Sequence, residues 1–413
     1  MRADSLASSA DTGPCNPPWP GSIQGAYDRR TGTSGPGGSR LRGPPMSDVM
    51  ETSYRRATGL MHSAVEREAS DIHLVPGYAP TLRIHGRLVA VDDHPLEEAE
   101  VRRMVEAVAP DAVIARLDAQ KNFDFSIALE HEGTKRRFRA NVFYSHSQLC
   151  ACLRVVPVQI PTFEWMGFPR ELASRLVHMT NGLVIITGVT GSGKTTTLAA
   201  LINLLNQEGG LRVLTVEEPV EYVHPRISST MITQREVGRD VDSFYDGLKY
   251  GLRQDPDVIQ VGEIRDRETA QMALSAAETG HLILTTMHTK DAKGAVTRFV
   301  DLFPHEAHDD VRVQLSLSLR AVVSQHLLPP VEGQEKRVLA LEAMFVNQPV
   351  RIGIRFGKID SIESAIQTGR RDGMLSLDDH LSQLMSAGRI SVETARRWAK
   401  DPEALHAAMP ARG

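Results

Sequence analysis

The sequence predicts an α/β protein of two unlike domains, on three observations. Between about residue 50 and 157, apolar and polar residues alternate along short runs, the period of half-buried strands. From about 170 the texture changes to apolar runs, L-V-I-I-T, V-L-T-V, V-I-Q-V and L-I-L-T-T-M, separated by helical stretches. That is how a parallel sheet covered on both faces reads. After the first of these runs comes G-V-T-G-S-G-K-T, Gly188 to Thr195, with the spacing of a phosphate-binding loop.

Taken in order, residues 1–45 are rich in Gly, Pro and Ser with few apolar anchors. They read as a disordered tail or as sequence upstream of the true start, since Met46 heads M-S-D-V-M-E-T, where helical periodicity begins. The first domain is expected over 46–157. Leu60, Met61, Ala64 and Val65 form a helix face. S-D-I-H-L, T-L-R-I-H-G-R-L-V-A-V and F-D-F-S-I-A-L alternate like strands, and R-R-F-R-A-N-V-F-Y and C-L-R-V-V-P add two more. I-P-T-F-E-W-M-G-F-P, with prolines at 161 and 169, reads as a linker over 158–169. The second domain is expected over 170–413. Beyond Pro330 a strand-like R-V-L-A-L-E-A-M-F-V leads into helices with polar faces, a helical region from about 350.

Bulk properties exclude several classes. The 413 residues are 41% hydrophobic and 24% charged, with a net charge of −4, so no overall electrostatic footprint for nucleic acid exists. No window approaches eighteen uninterrupted apolar residues, and the N-terminus lacks the apolar segment of a secretory signal. Cys15, Cys150 and Cys152 cannot build a disulfide framework. A cytoplasmic location is the expectation.

The chemistry lies in the second domain. Glycines at 188, 191 and 193 let the backbone of Gly188, Val189, Thr190, Gly191, Ser192 and Gly193 wrap phosphate oxygens with successive N–H groups. The following helix, opening at Lys194, Thr195 and Thr196, adds the partial positive charge of its N-terminus. Lys194 is expected at the β- and γ-phosphates of a nucleotide, and the Thr195 hydroxyl on Mg²⁺. In D-V-I-Q-V-G-E-I-R-D an apolar strand ends at Glu263, which can face the loop and hold Mg²⁺ or its water. Gln260 inside that strand has no account from the sequence. In T-V-E-E-P-V-E-Y three carboxylates, Glu217, Glu218 and Glu221, crowd around Pro219. Alone they read as a solvated turn. Their strand begins some twenty residues after the loop, which brings them to the rim carrying Lys194 and Glu263, where they could serve a cation and a water to be activated. His281 and His288 flank T-G-H-L-I-L-T-T-M-H-T. His288, at the strand's C-terminal end, is the better candidate for sensing a γ-phosphate.

In this order the four stretches resemble the Walker A, Asp box, Walker B and His box of the bacterial type II/IV secretion ATPases, nearest the twitching-motility retraction branch. T-Q-R-E-V-G-R-D, L-R-Q-D-P-D, A-A-E-T-G-H, V-V-S-Q-H-L-L and A-I-Q-T-G-R-R-D-G-M extend the resemblance over roughly residue 50 to the C-terminus. It implies a PAS-like first domain joined to a RecA-like ATPase domain, six chains in a ring, and ATP with Mg²⁺. By position it makes Glu221 the residue that activates water and Glu263 the Walker B glutamate. R-F-R-A-N and L-R-V-V-P align with segments whose arginines contact the γ-phosphate, which nominates Arg139 and Arg154 ahead of Arg137. It further implies a motor for pilus retraction or a related pilus machine, with an inner-membrane platform protein and a paralogous pilus ATPase as partners. Such a motor would be cytoplasmic, peripheral at the inner membrane, and without direct nucleic-acid contact. The alternatives are a secretion or DNA-uptake ATPase of the same fold, and a regulatory subunit that binds nucleotide without turnover. Three departures stand out. Glu218 replaces the usual aspartate of the Asp box. The tetracysteine zinc module of the extension and secretion ATPases is absent. The retraction motif A-I-R-N-L-I-R-E is altered to V-R-I-G-I-R-F-G.

Overall fold

A computed structural model describes residues 48–407 apart from 116, 120, 158, 228 and 335, so the expected tail 1–45 lies outside the described residues. The alternating runs of the N-terminal half form β1 (Ala69–Leu74), β2 (Thr81–Ile84), β3 (Arg87–Ala90), β4 (Asn122–His131), β5 (Thr134–Ser145) and β6 (Gln148–Val156). They pair antiparallel in the order β3-β2-β1-β6-β5-β4. T-L-R-I-H-G-R-L-V-A-V, which alternates without a break, is a hairpin. His85 and Gly86 both take positive φ (47° and 81°), the requirement of a two-residue turn that suits the strand twist.

Period-two alternation then separates two faces of this sheet. Ile72, Phe125, Ile127, Phe138, Ala140 and Leu153 pack against Leu60, Met61, Val101 and Met104 of the helices Asp48–Glu66 and Glu98–Val108. The intervening residues Asp71, Ser126, Arg137, Arg139 and Arg154 fall on the opposite face. The register sets Arg139 beside both Ser126 and Arg154, and Arg154 beside Asp71.

In the second half the apolar runs form β7 (Gly182–Thr187), β8 (Arg212–Glu217), β10 (Val258–Val261) and β11 (Leu282–Met287). Two strands that the pattern does not mark join them: β9 (Met231–Glu236), whose M-I-T-Q-R-E is largely polar, and β12 (Leu319–Leu328). β13 (Val338–Phe345) is the strand-like run beyond Pro330. The order is β13-β12-β7-β11-β10-β8-β9, parallel throughout except that β13 runs antiparallel to β12. The fold class is therefore the α/β class expected, with a parallel sheet. The linker contains a short helix, Phe163–Met166, whose N-terminus is capped by Thr162. One consequence governs function: β7, β8, β9, β10 and β11 deliver their C-terminal ends to a single rim.

The helix Phe244–Gly251 presses close on β8 through its glycines. A Cβ added at Gly247 would stand 2.6 and 2.9 Å from the two methyl carbons of Val216, and one at Gly251 2.2 Å from a Leu214 methyl. Helix propensity favours alanine by about 1 kcal/mol, against roughly 1–3 kcal/mol for overpacking. Val216 is β-branched and stiff, whereas the Leu214 methyl ends a flexible chain. Gly247→Ala is expected to lower unfolding stability by about 1 kcal/mol and Gly251→Ala by less, as read by urea denaturation. Equal stability of Gly247→Ala and wild type would contradict the close approach.

Candidate active site

The phosphate loop connects β7, buried along its whole length, to the helix Lys194–Glu208. Gly188, Gly191 and Gly193 take φ of 149°, 79° and 90°. A Cβ at Gly188 would collide with Ser192 Oγ at 2.4 Å and the Gln325 carbonyl at 2.5 Å, so only glycine permits this curl. Lys194, 7% exposed, donates from Nζ to the carbonyls of Gly188 (2.9 Å) and Val189 (3.2 Å). Burial holds its pKa below the usual lysine value, opposed by the nearby Glu263 carboxylate. Ser192 Oγ is buried without a hydrogen-bond partner among the described residues. A glycine-lined curl, a buried ammonium and an orphaned hydroxyl fit a polyphosphate.

Around the loop stand the acids. Glu263 follows β10 and is bound on one oxygen by Arg265 (2.5 Å) and on the other by His288 Nε2 (3.2 Å). Arg265 also reaches Glu218 at 3.8 Å. Glu221 sits beneath the first domain. Burial raises its pKa, while Arg139, Arg154 and a hydrogen bond from Thr195 lower it. Three expected residues, Glu221, Arg139 and Arg154, are thus brought together with Thr195 within one chain. Arg154 is anchored by Asp71 (2.9 Å), and Arg139 lies 3.8 Å from Asp124. Tyr222, beside Glu221, shares a 3.1 Å hydrogen bond with Thr196. Glu217 is more enclosed, 5% exposed, and accepts from Thr215 Oγ1 (2.6 Å) and Gln234 Nε2 (3.0 Å). Burial pushes its pKa up to about 7, those two hydrogen bonds working against the rise.

The Thr195 hydroxyl and the Glu263 carboxylate are hard oxygen donors, a set that fits Mg²⁺. Mg²⁺ takes few protein ligands and completes its shell with phosphate oxygens and water.

Some assignments separate. His281 lies at the other end of β11, its Nδ1 3.1 Å from the Ala276 carbonyl, a structural contact. Arg137 points into the seam between domains, where it meets Glu236 at 2.8 Å. Gln260 is 2% exposed on the interior strand β10 and its Oε1 has no partner among the described residues. Sequence reasoning assigned no role to Arg265, Gln234, Glu236, Asp71 or Ser126. Gln234 and Glu236 belong to T-Q-R-E-V-G-R-D, and Arg265 follows Glu263 by two. Those spacings were the available signal.

Glu217 generates a pH test. Folded, it keeps its proton up to about pH 7, whereas an unfolded glutamate loses it near pH 4.3. Between those values the folded state binds more protons, so this group's contribution to stability falls as pH rises and is flat above about 7. Glu217→Gln, which does not titrate, should gain stability relative to wild type across that window, reaching roughly 3–4 kcal/mol. Urea unfolding at pH 5, 6, 7 and 8 measures it, and a pH-independent difference would contradict the enclosure of Glu217.

Comparison with known proteins fits this geometry. The family model for type II/IV secretion system proteins matches residues 51–404. The chain is 40% identical over 346 residues to the type IV pilus retraction ATPase PilT of Pseudomonas aeruginosa, covering 84% of this chain and 98% of that protein. It is 40% identical over 326 residues to a twitching motility protein of Neisseria gonorrhoeae, covering 79% and 86%. The crystal structure of the pilus retraction motor PilT with bound ADP superposes with a TM-score of 0.75 at 39% identity, over 84% of this chain and 98% of that one. With a family model over most of its length and relatives at 40% identity, the chain belongs to the type II/IV secretion system protein family.

Proposed function

We propose that this chain is an ATPase motor subunit that hydrolyses MgATP in a homohexameric ring to drive pilus retraction or a related pilus machine. One observation carries the reading: Glu221, hydrogen-bonded to Thr195 of the phosphate loop, lies within reach of the charges of the first-domain arginines Arg139 and Arg154 of the same chain. Lys194 and the loop amides bind the β- and γ-phosphates. Thr195 and, through water, Glu263 hold Mg²⁺, which would shield phosphate charge. Glu221 orients and deprotonates the attacking water. Arg139 and Arg154 bring positive charge to the γ-phosphate when the first domain is seated, which ties hydrolysis to domain motion. His288, hydrogen-bonded to Glu263, reports the γ-phosphate to that carboxylate.

The partners in this reading are further copies of the chain, an inner-membrane platform protein and a paralogous pilus ATPase. Among the described residues no helix is long and apolar enough to cross a membrane, which suits a protein held peripherally at the cytoplasmic face. A secretion role draws support from the altered retraction motif, within which Ile352 and Phe356 are 44% and 67% exposed. The intact set Glu221, Glu263 and His288 speaks against a regulatory subunit without turnover.

Purified chain should release phosphate from ATP in the presence of Mg²⁺, and Lys194→Ala and Glu263→Ala should each abolish release by different routes. Losing a charge-assisted contact of about 1.5–3 kcal/mol should weaken ATP binding by Lys194→Ala roughly 10- to 100-fold. Glu263→Ala should bind nearly as wild type. Equal affinities would contradict the roles, and a wild-type chain that binds ATP without releasing phosphate would favour the regulatory reading.

A further inference from the structure

Glu236 ends the edge strand β9, opposite Glu217 in the parallel register, and is 5% exposed. It gathers contacts from both domains. Its Oε1 accepts from Ser126 Oγ at 2.7 Å. Its Oε2 accepts from the Arg137 guanidinium at 2.8 Å and from the Val220 backbone N–H at 3.1 Å. Arg137 also donates to Ser126 Oγ at 3.0 Å, closing a ring of three side chains. Behind it, the Glu236 N–H donates to Asp240 Oδ2 at 2.9 Å, which fixes the carboxylate's base.

The shared oxygen is the decisive feature. Val220 immediately precedes Glu221, so the backbone of the acidic loop hangs on the same Oε2 that Arg137 holds. If the first domain swings away, Arg137 and Ser126 leave together. The remaining buried carboxylate then lacks its cation, a state costly enough to make it turn toward water. Val220 N–H loses its acceptor in the same event.

We infer that Glu236 is a positioning residue for hydrolysis, which makes the placement of Glu221 conditional on the seating of the first domain through Arg137 and Ser126. This rests on the reading of Glu221 as the residue that activates water. The device differs from the charge supplied by Arg139 and Arg154. Those arginines act on Glu221 through their charge, whereas the Arg137–Glu236 pair acts on the backbone that carries it. An unseated first domain would thus disable the water-activating carboxylate as well as withdraw positive charge, suppressing hydrolysis in the open state.

The test compares Arg137→Met, Arg137→Lys, Glu236→Gln and the double variant Arg137→Met/Glu236→Gln in the full chain, with Glu221→Gln as reference. Steady-state kcat and KM for ATP, and affinity for a fluorescent ADP, are measured for each. A displaced catalytic group costs on the order of 100-fold, so Arg137→Met and Glu236→Gln should each lower kcat about 10- to 100-fold. KM and ADP affinity should stay within about twofold of wild type, since the phosphate loop is untouched. The double variant should be no slower than the slower single, because both break one linkage. Arg137→Lys, which keeps the cation, should retain most of kcat. Should Arg137→Met fold poorly, Ser126→Ala leaves the ion pair in place and should lower kcat by a smaller factor, about three- to tenfold. Folded variants with kcat within twofold of wild type, or losses that multiply in the double variant, would overturn the inference. Full activity of Glu221→Gln would instead overturn the reading on which it rests.

Discussion

Negative charge withdrawn from water at the C-terminal end of β8 and its neighbours is the constraint that the rest of this structure answers. An unpaired buried carboxylate costs several kcal/mol, and four glutamates, at 217, 221, 236 and 263, gather on one rim. Each is offset differently. Glu217 keeps its proton to about pH 7 and two hydrogen bonds. Glu221 faces Arg139, Arg154 and Thr195. Glu236 is clasped by Arg137 and Ser126. Glu263 is shared between Arg265 and His288, with Lys194 close by.

The cations come from two folds with different periodicities. Antiparallel strands with one buried face turn every second residue outward, and in β5 and β6 those residues are Arg137, Arg139 and Arg154. The parallel sheet instead buries its strands on both faces and concentrates chemistry at the strand ends. Joining the two places a basic sheet face over an acidic rim. The seam is consequently polar, and polar interfaces between domains permit motion. Desolvation alone opposes ionisation of Glu221, and the seated first domain reverses part of that effect. In the proposed mechanism domain position and chemical competence are in this way one variable.

The sequence disclosed the parts whose signal is local. G-V-T-G-S-G-K-T, the apolar runs β7, β8, β10 and β11, and the strand-end positions of Glu263 and His288 are all legible from spacing and texture. Strand β9 was hidden because its M-I-T-Q-R-E is polar for a sheet edge, and Glu236, which ends it, went without a role for the same reason. The hairpin β2–β3 was hidden because alternation continues through His85 and Gly86 despite their positive φ. Arg137 and Arg139 look alike on β5, two residues apart. The resemblance ranks Arg139 ahead, and the packing of one domain on the other gives the reason, sending Arg137 to Glu236 and setting the charge of Arg139 near Glu221. Such pairings join residues about a hundred positions apart, beyond the reach of any local pattern.

The central claim is that first-domain arginines offset the burial of Glu221 within the assembled site, and the pH dependence of the chemical step reports this most directly. Single-turnover ATP hydrolysis would be followed from pH 5 to 9 for wild type and Arg139→Gln. Burial raises the pKa of Glu221 and Arg139 lowers it, so removing that positive charge lets burial prevail. The account predicts that the acidic limb of the Arg139→Gln profile moves to higher pH, beyond any uniform loss of rate. An acidic limb with an unchanged midpoint would contradict it.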